Sequence, residues 1–131
     1  MPPRFLDANP IIRYLTQDHP DHAARSRRLF ERAAAGEFTL VTSESVLVEV
    51  VRVLSSPNLY NLPRQEVRRH LANVLALPGL FAPYKRTFLR ALDLWASSSI
   101  DFVDALCVAQ MERLKIGTIA RFDQEDRKRH V

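Results

Sequence analysis

Four carboxylates in this 131-residue chain, Asp7, Glu49, Asp104 and Asp123, each fall just after an apolar run or on the helix that follows one. Carboxylates that share a crevice repel one another and raise each other's pKa unless a cation holds them ionised. Oxygen-only ligands select a hard ion, Mg²⁺ or Mn²⁺. Such an ion would orient a water, lower its pKa and stabilise the leaving oxygen of a phosphodiester, so hydrolysis of RNA or DNA is the natural reaction class.

Each acid also has a plainer reading. The neighbours of Asp104 at plus three, plus four and plus seven are Cys107, Val108 and Met111, so it sits on an apolar helical stripe where an unpaired carboxylate needs a partner or a use. Alternatively, Asp101 as N-cap and Asp104 in the first turn only favour the helix dipole, each by about 0.3–1 kcal/mol. Glu49 is flanked by Val46, Val50 and Val53 and is equally suited to a boundary pair with Arg52. Asp7, ahead of Pro10, reads on its own as a turn residue. His19 and His22 lack the further ligands a metal site demands. Cys107, mid-helix among apolar residues, reads as packing rather than nucleophile.

The elements that must position these acids follow from the hydrophobic pattern. Residues 4–8 read as a buried strand running at once into a helix start at Asn9-Pro10. Helices are expected over 11–16 and 21–35, a second strand over 38–42, and helices over 44–55 and 63–77. A short third strand over 80–83, helices over 87–97 and 101–115, and a final strand over 117–120 complete the chain. Strands separated by helices with short links imply β-α-β crossovers and a mostly parallel sheet covered on both faces, in one domain spanning 1–131. In such a sheet ligands bind beyond the carboxyl ends of the strands, where the four acids collect.

Composition excludes several other classes. With 47% hydrophobic and 26% charged residues and a single Cys, the chain can build one core without disulfides and fits a reducing cytoplasm. Its longest apolar stretch, residues 46–54, is broken by Glu49 and Arg52, which rules out a helical membrane span. Nineteen Lys plus Arg against fifteen Asp plus Glu give a formal charge of +4, an excess that favours an anionic partner.

Taken together, Phe5-Leu6-Asp7-Ala8-Asn9, Thr42-Ser43 with Val46 and Glu49, Asp101-Phe102-Val103-Asp104-Ala105-Leu106, and Phe122-Asp123 make an ordered set of motifs. The chain resembles the PIN-domain ribonucleases, specifically the VapC-type toxins of prokaryotic toxin–antitoxin pairs. The resemblance implies an α/β fold of three layers, α/β/α, around a mostly parallel sheet of four to five strands. It implies an Mg²⁺- or Mn²⁺-dependent endoribonuclease with Asp7, Glu49, Asp104 and Asp123 as catalytic and metal-binding acids. Asp101 is a further contributor to the metal environment, and Asn9, Ser43 and Arg121 are candidate substrate contacts. Arg121 stands where the family has Ser or Thr, and Asp126 where Phe is common. A homodimer and a VapB-type antitoxin are the implied partners, with the apolar region around Leu59, Tyr60 and Leu62 as the antitoxin groove or, equally, as core. A PIN-fold binding module without catalysis and an Mg²⁺-dependent phosphoryl-transfer domain are the competing functions.

Overall fold

The computed structural model describes residues 2–122. The first strand, β1 (Pro3–Phe5), leads directly into α1 (Ala8–Thr16) and α2 (Pro20–Ala34). After β2 (Thr39–Val41) come α3 (Glu44–Ser55) and α4 (Arg64–Leu75). Beyond β3 (Leu80–Phe81), α5 (Lys85–Ala96) and α6 (Phe102–Leu114) close the described chain.

The helices start where the side chains can satisfy free backbone N–H groups. Ser43 accepts the Val46 amide at the start of α3, and Asp101 accepts the Val103 amide at the start of α6. Pro20 opens α2, where its fixed φ and missing donor carry no penalty. Each helix then buries one stripe: Leu47, Val50, Val51 and Leu54 on α3, and Phe102, Ala105, Leu106 and Ala109 on α6. Phe102 packs between Phe88 and Trp95, with ring centroids 5.3 and 5.5 Å away. Arg64 reaches across from α4 and donates to the carbonyls of Trp95, Ser98 and Ile100, holding the turn that precedes α6.

The three strands are parallel in the order β1-β2-β3. Both connections advance in one direction, so crossovers of a single hand lay α1–α2 and α3–α4 on the same side of the sheet. Burial follows this: Leu40 and Leu80, paired in register, are buried, whereas Phe5 and Phe81, in register with Val41, are 65% and 61% exposed. The opposite face is therefore open at its two outer strands.

The expected sheet of four to five strands has three among the described residues, because residues 117–120 pair with no strand. Ile116 and Ile119 are exposed there, and every residue from 112 to 122 is exposed. With no buried side to alternate toward, this stretch lacks what fixes a strand's register. β1, expected over 4–8, ends at Phe5, since Asp7 already caps α1. The expected 44–55 helix is α3, and the other helices match to within a few residues at each end.

A polar clasp joins α1 to the loop after α3. Asp18 accepts hydrogen bonds from the hydroxyls of Thr16 and Tyr60, both at 2.7 Å, with Arg13 nearby at 3.4 Å. These donors, Thr16 foremost, pull the Asp18 carboxyl down to about 2. A depressed folded-state pKa stabilises the fold above the ordinary carboxylate value, and that contribution fades as pH falls from about 4 toward 2. Tyr60→Phe is expected to move the Asp18 titration back toward 3.8, read by carboxyl NMR, and an unchanged midpoint would remove Tyr60 from the cause.

Candidate active site

Asp7 is set by the strand pair beneath it. The Leu6 amide donates to the Val41 carbonyl at 2.7 Å, and the buried Thr42 hydroxyl donates to the Leu6 carbonyl at 2.8 Å. The carboxyl ends of β1 and β2 are thereby pinned together, with Asp7 beside the start of α3. One Asp7 oxygen accepts the Ala8 amide at 2.8 Å, so the residue is a helix cap while remaining exposed.

The helices that carry Glu49 and Asp104 run antiparallel. Gln110 on α6 donates to Glu44 at the start of α3 at 3.0 Å. At the other end, Arg52 and Ser55 share a cleft of about 510 Å³ with Asp101, Phe102 and Val103. Counting inward from these two junctions places Glu49 and Asp104 at the same level along the pair. Asp7 lies toward the start of α3, where Thr42 joins the ends of β1 and β2.

Glu49 is exposed and bound bidentately by Arg52, at 3.1 and 2.7 Å. That hydrogen bonding, reinforced by the guanidinium charge, holds its carboxyl below the usual range. The boundary-pair reading of Glu49 is thus realised. Asp104 is exposed, not buried on an apolar stripe: the buried side of α6 carries Phe102, Ala105, Leu106 and Ala109, while Val108 is exposed and Cys107 and Met111 are half-buried. The apolar neighbours of Asp104 mark the edge of the helix rather than its core side. Asp101, not Asp104, makes the capping hydrogen bond.

Arg121 lies 4.0 Å from Asp104, as residues 116–122 run back alongside α6. Ser43 is engaged as a cap and touches the Ser45 hydroxyl at 2.9 Å, while Asn9 is exposed on the first turn of α1. Asp123 lies outside the described residues. Of the residues expected to form the antitoxin groove, Leu59 is 55% exposed, whereas Tyr60 and Leu62 are partly buried against the core.

Among the described residues, no three or more His, Cys, Asp or Glu side chains gather closely enough to hold one ion. The donor chemistry nevertheless suits a hard dication. Mg²⁺ keeps several waters and is commonly bound by one or two carboxylates together with substrate phosphate, a demand that solvent-facing Asp7 and Asp104 can meet. Sequence reasoning missed Glu44, whose Oε2 is buried without a hydrogen-bond partner among the described residues. Its other oxygen, Oε1, accepts from Gln110, 66 residues away and beyond any local signal.

The family model described as the PIN domain matches residues 4–129. No curated protein matches the chain. Among solved structures, the crystal structure of Mycobacterium tuberculosis VapC20, described as a sarcin-ricin loop cleaving toxin, is 18% identical with a TM-score of 0.40, covering 91% of this chain and 88% of that one. The family match takes in most of β1, Asp7 and every element after it, and by it this chain belongs to the PIN-domain family.

Proposed function

We propose that the chain is a VapC-type endoribonuclease that hydrolyses RNA phosphodiesters with Mg²⁺ or Mn²⁺ and is neutralised by a cognate VapB-type antitoxin. The observation that carries the reading is the PIN-domain match over residues 4–129, which takes in solvent-facing carboxylates at positions 7, 49 and 104. Asp7 and Asp104 would hold the metal, joined by Glu49 on release from Arg52, with Asp123 and Asp101 as further acids. When bound, the ion supplies an acidified water and neutralises charge on the phosphate.

The chain's own residues do the rest. Thr42 fixes Asp7 at the end of the sheet through the Leu6 carbonyl. Arg64 fixes the turn from which Asp101 and Asp104 project. Once Glu49 is released, the Arg52 guanidinium is free to pair with an RNA phosphate, a geometry its planar fork suits. The formal +4 charge draws the polyanion toward the surface.

Purified protein incubated with RNA and Mg²⁺ or Mn²⁺ is expected to cleave it, to stop with EDTA and to resume with excess metal. Cleavage that persists in EDTA would rule out the metal mechanism. Absence of cleavage with either ion would favour the binding-module reading, for which the closed Glu49–Arg52 pair is the specific support. A homodimer and an antitoxin segment lying along Leu59 and Leu62 belong to the same proposal. Mass measurement in solution and titration with the antitoxin peptide test them.

A further inference from the structure

The cleft between α1 and α2 carries cations that the carboxylate site leaves unused. Arg13, His22 and Arg25 line it together with Asn9 and Ser26, enclosing about 290 Å³. Arg13 Nε is buried without a hydrogen-bond partner among the described residues, while the same guanidinium meets Asp18 through its NH1. A buried charged donor lacking an acceptor is unfavourable, and a bound acceptor would offset that cost. Ser26 is only 5% exposed, so a hydroxyl-bearing side chain forms an inner wall of the cleft. The Asp18 carboxylate, the acid paired with Arg13, is also engaged by Thr16 and Tyr60. The cleft walls thus offer two guanidiniums, an imidazole, an amide and a hydroxyl, and no carboxylate lines them.

We propose that this cleft binds a phosphate group, supplied by the RNA backbone near the scissile bond. Guanidinium forks pair with the spread charge of a phosphate, and Asn9 and Ser26 add neutral donors at its edge. The space exceeds that of a lone oxyanion and suits a phosphodiester with part of its ribose. Asn9 stands two residues beyond Asp7 on the first turn of α1, so the cleft opens at the end of the helix that Asp7 caps. The assignment of RNA as the source rests on the nuclease reading; the anion chemistry does not.

Two measurements separate these parts. The first uses Asp104→Asn protein in EDTA, so that RNA stays intact, and follows binding of a fluorescein-labelled single-stranded RNA by anisotropy across a salt series. Adding Arg25→Gln is expected to weaken binding about five- to tenfold and to lower the slope of log K against log salt by about one. Arg25 is exposed, so the variant keeps the fold, which circular dichroism verifies. The second titrates inorganic phosphate into the otherwise native protein and reads amide NMR shifts, expected at Asn9, Arg25 and Ser26 and lost in Arg25→Gln. RNA affinity and slope unchanged by Arg25→Gln would overturn the RNA assignment. No phosphate shifts in the cleft would overturn the anion site itself. Phosphate shifts in a protein that neither binds nor cleaves RNA would overturn the nuclease reading while upholding the anion site.

Discussion

Asp104→Asn is expected to lower RNA cleavage by roughly 10²–10³-fold, the scale on which loss of one transition-state electrostatic group is felt. Stability should hardly change. The capping hydrogen bond at the start of α6 comes from Asp101, and the contact to Arg121 is an exposed pair at 4.0 Å. Such pairs contribute about 0–1 kcal/mol. A purely dipolar role for Asp104 predicts the reverse: activity retained, with about 0.3–1 kcal/mol of stability lost. Initial rates on a labelled RNA, measured beside thermal melts of the same preparations, distinguish the two. A variant that cleaves at the native rate would remove Asp104 from the chemistry.

Gly79→Ala is expected to destabilise the fold strongly although it adds a single methyl. Gly79 has φ +82°, where an L side chain is strained by about 1–2 kcal/mol. An added Cβ would also meet the Ala33 carbonyl oxygen at 2.5 Å, a backbone atom with no rotamer to yield. Overpacking of this kind costs typically 1–3 kcal/mol more. The Gly79 carbonyl accepts from Leu40, so a shift to relieve the clash would disturb the β2–β3 ladder. A total of about 2–5 kcal/mol corresponds to a fall in Tm on the order of 10 °C. Melting within a degree or two of the native protein would show that the end of α2 can move aside.

Helices were legible because their stripes and caps are local. The run from Ser43 to Ser55 contains both its cap and its buried positions 47, 50, 51 and 54, and α3 forms there. The sheet was less so, since pairing depends on partners far away in sequence. Phe5 and Ile119 are as apolar as Leu40, yet only Leu40 acquires a covered face. Among the candidate acids, the sequence offered two roles each for Asp7 and Glu49, and the structure shows the structural one for both: a cap on α1 and a pair with Arg52. The α1–α2 cleft was not readable, because Asn9 and Arg13 meet His22 and Arg25 only after the chain turns at Gln17, with φ +59°.

The turn before α6 is held by a side chain that lies 34 and 36 residues ahead of the carbonyls it grips. Arg64 also stacks its guanidinium 4.8 Å from the centre of the Trp95 ring, so the grip requires α4 and α5 to be already docked. A contact of this sequence separation costs loop-closure entropy, so the docking of α4 against α5 has to offset it. The placement of the helix bearing Asp104 therefore depends on the docking of α4 against α5. Loosening that grip is therefore a way to misplace Asp104 without touching any acid, through a residue 40 positions earlier in the chain.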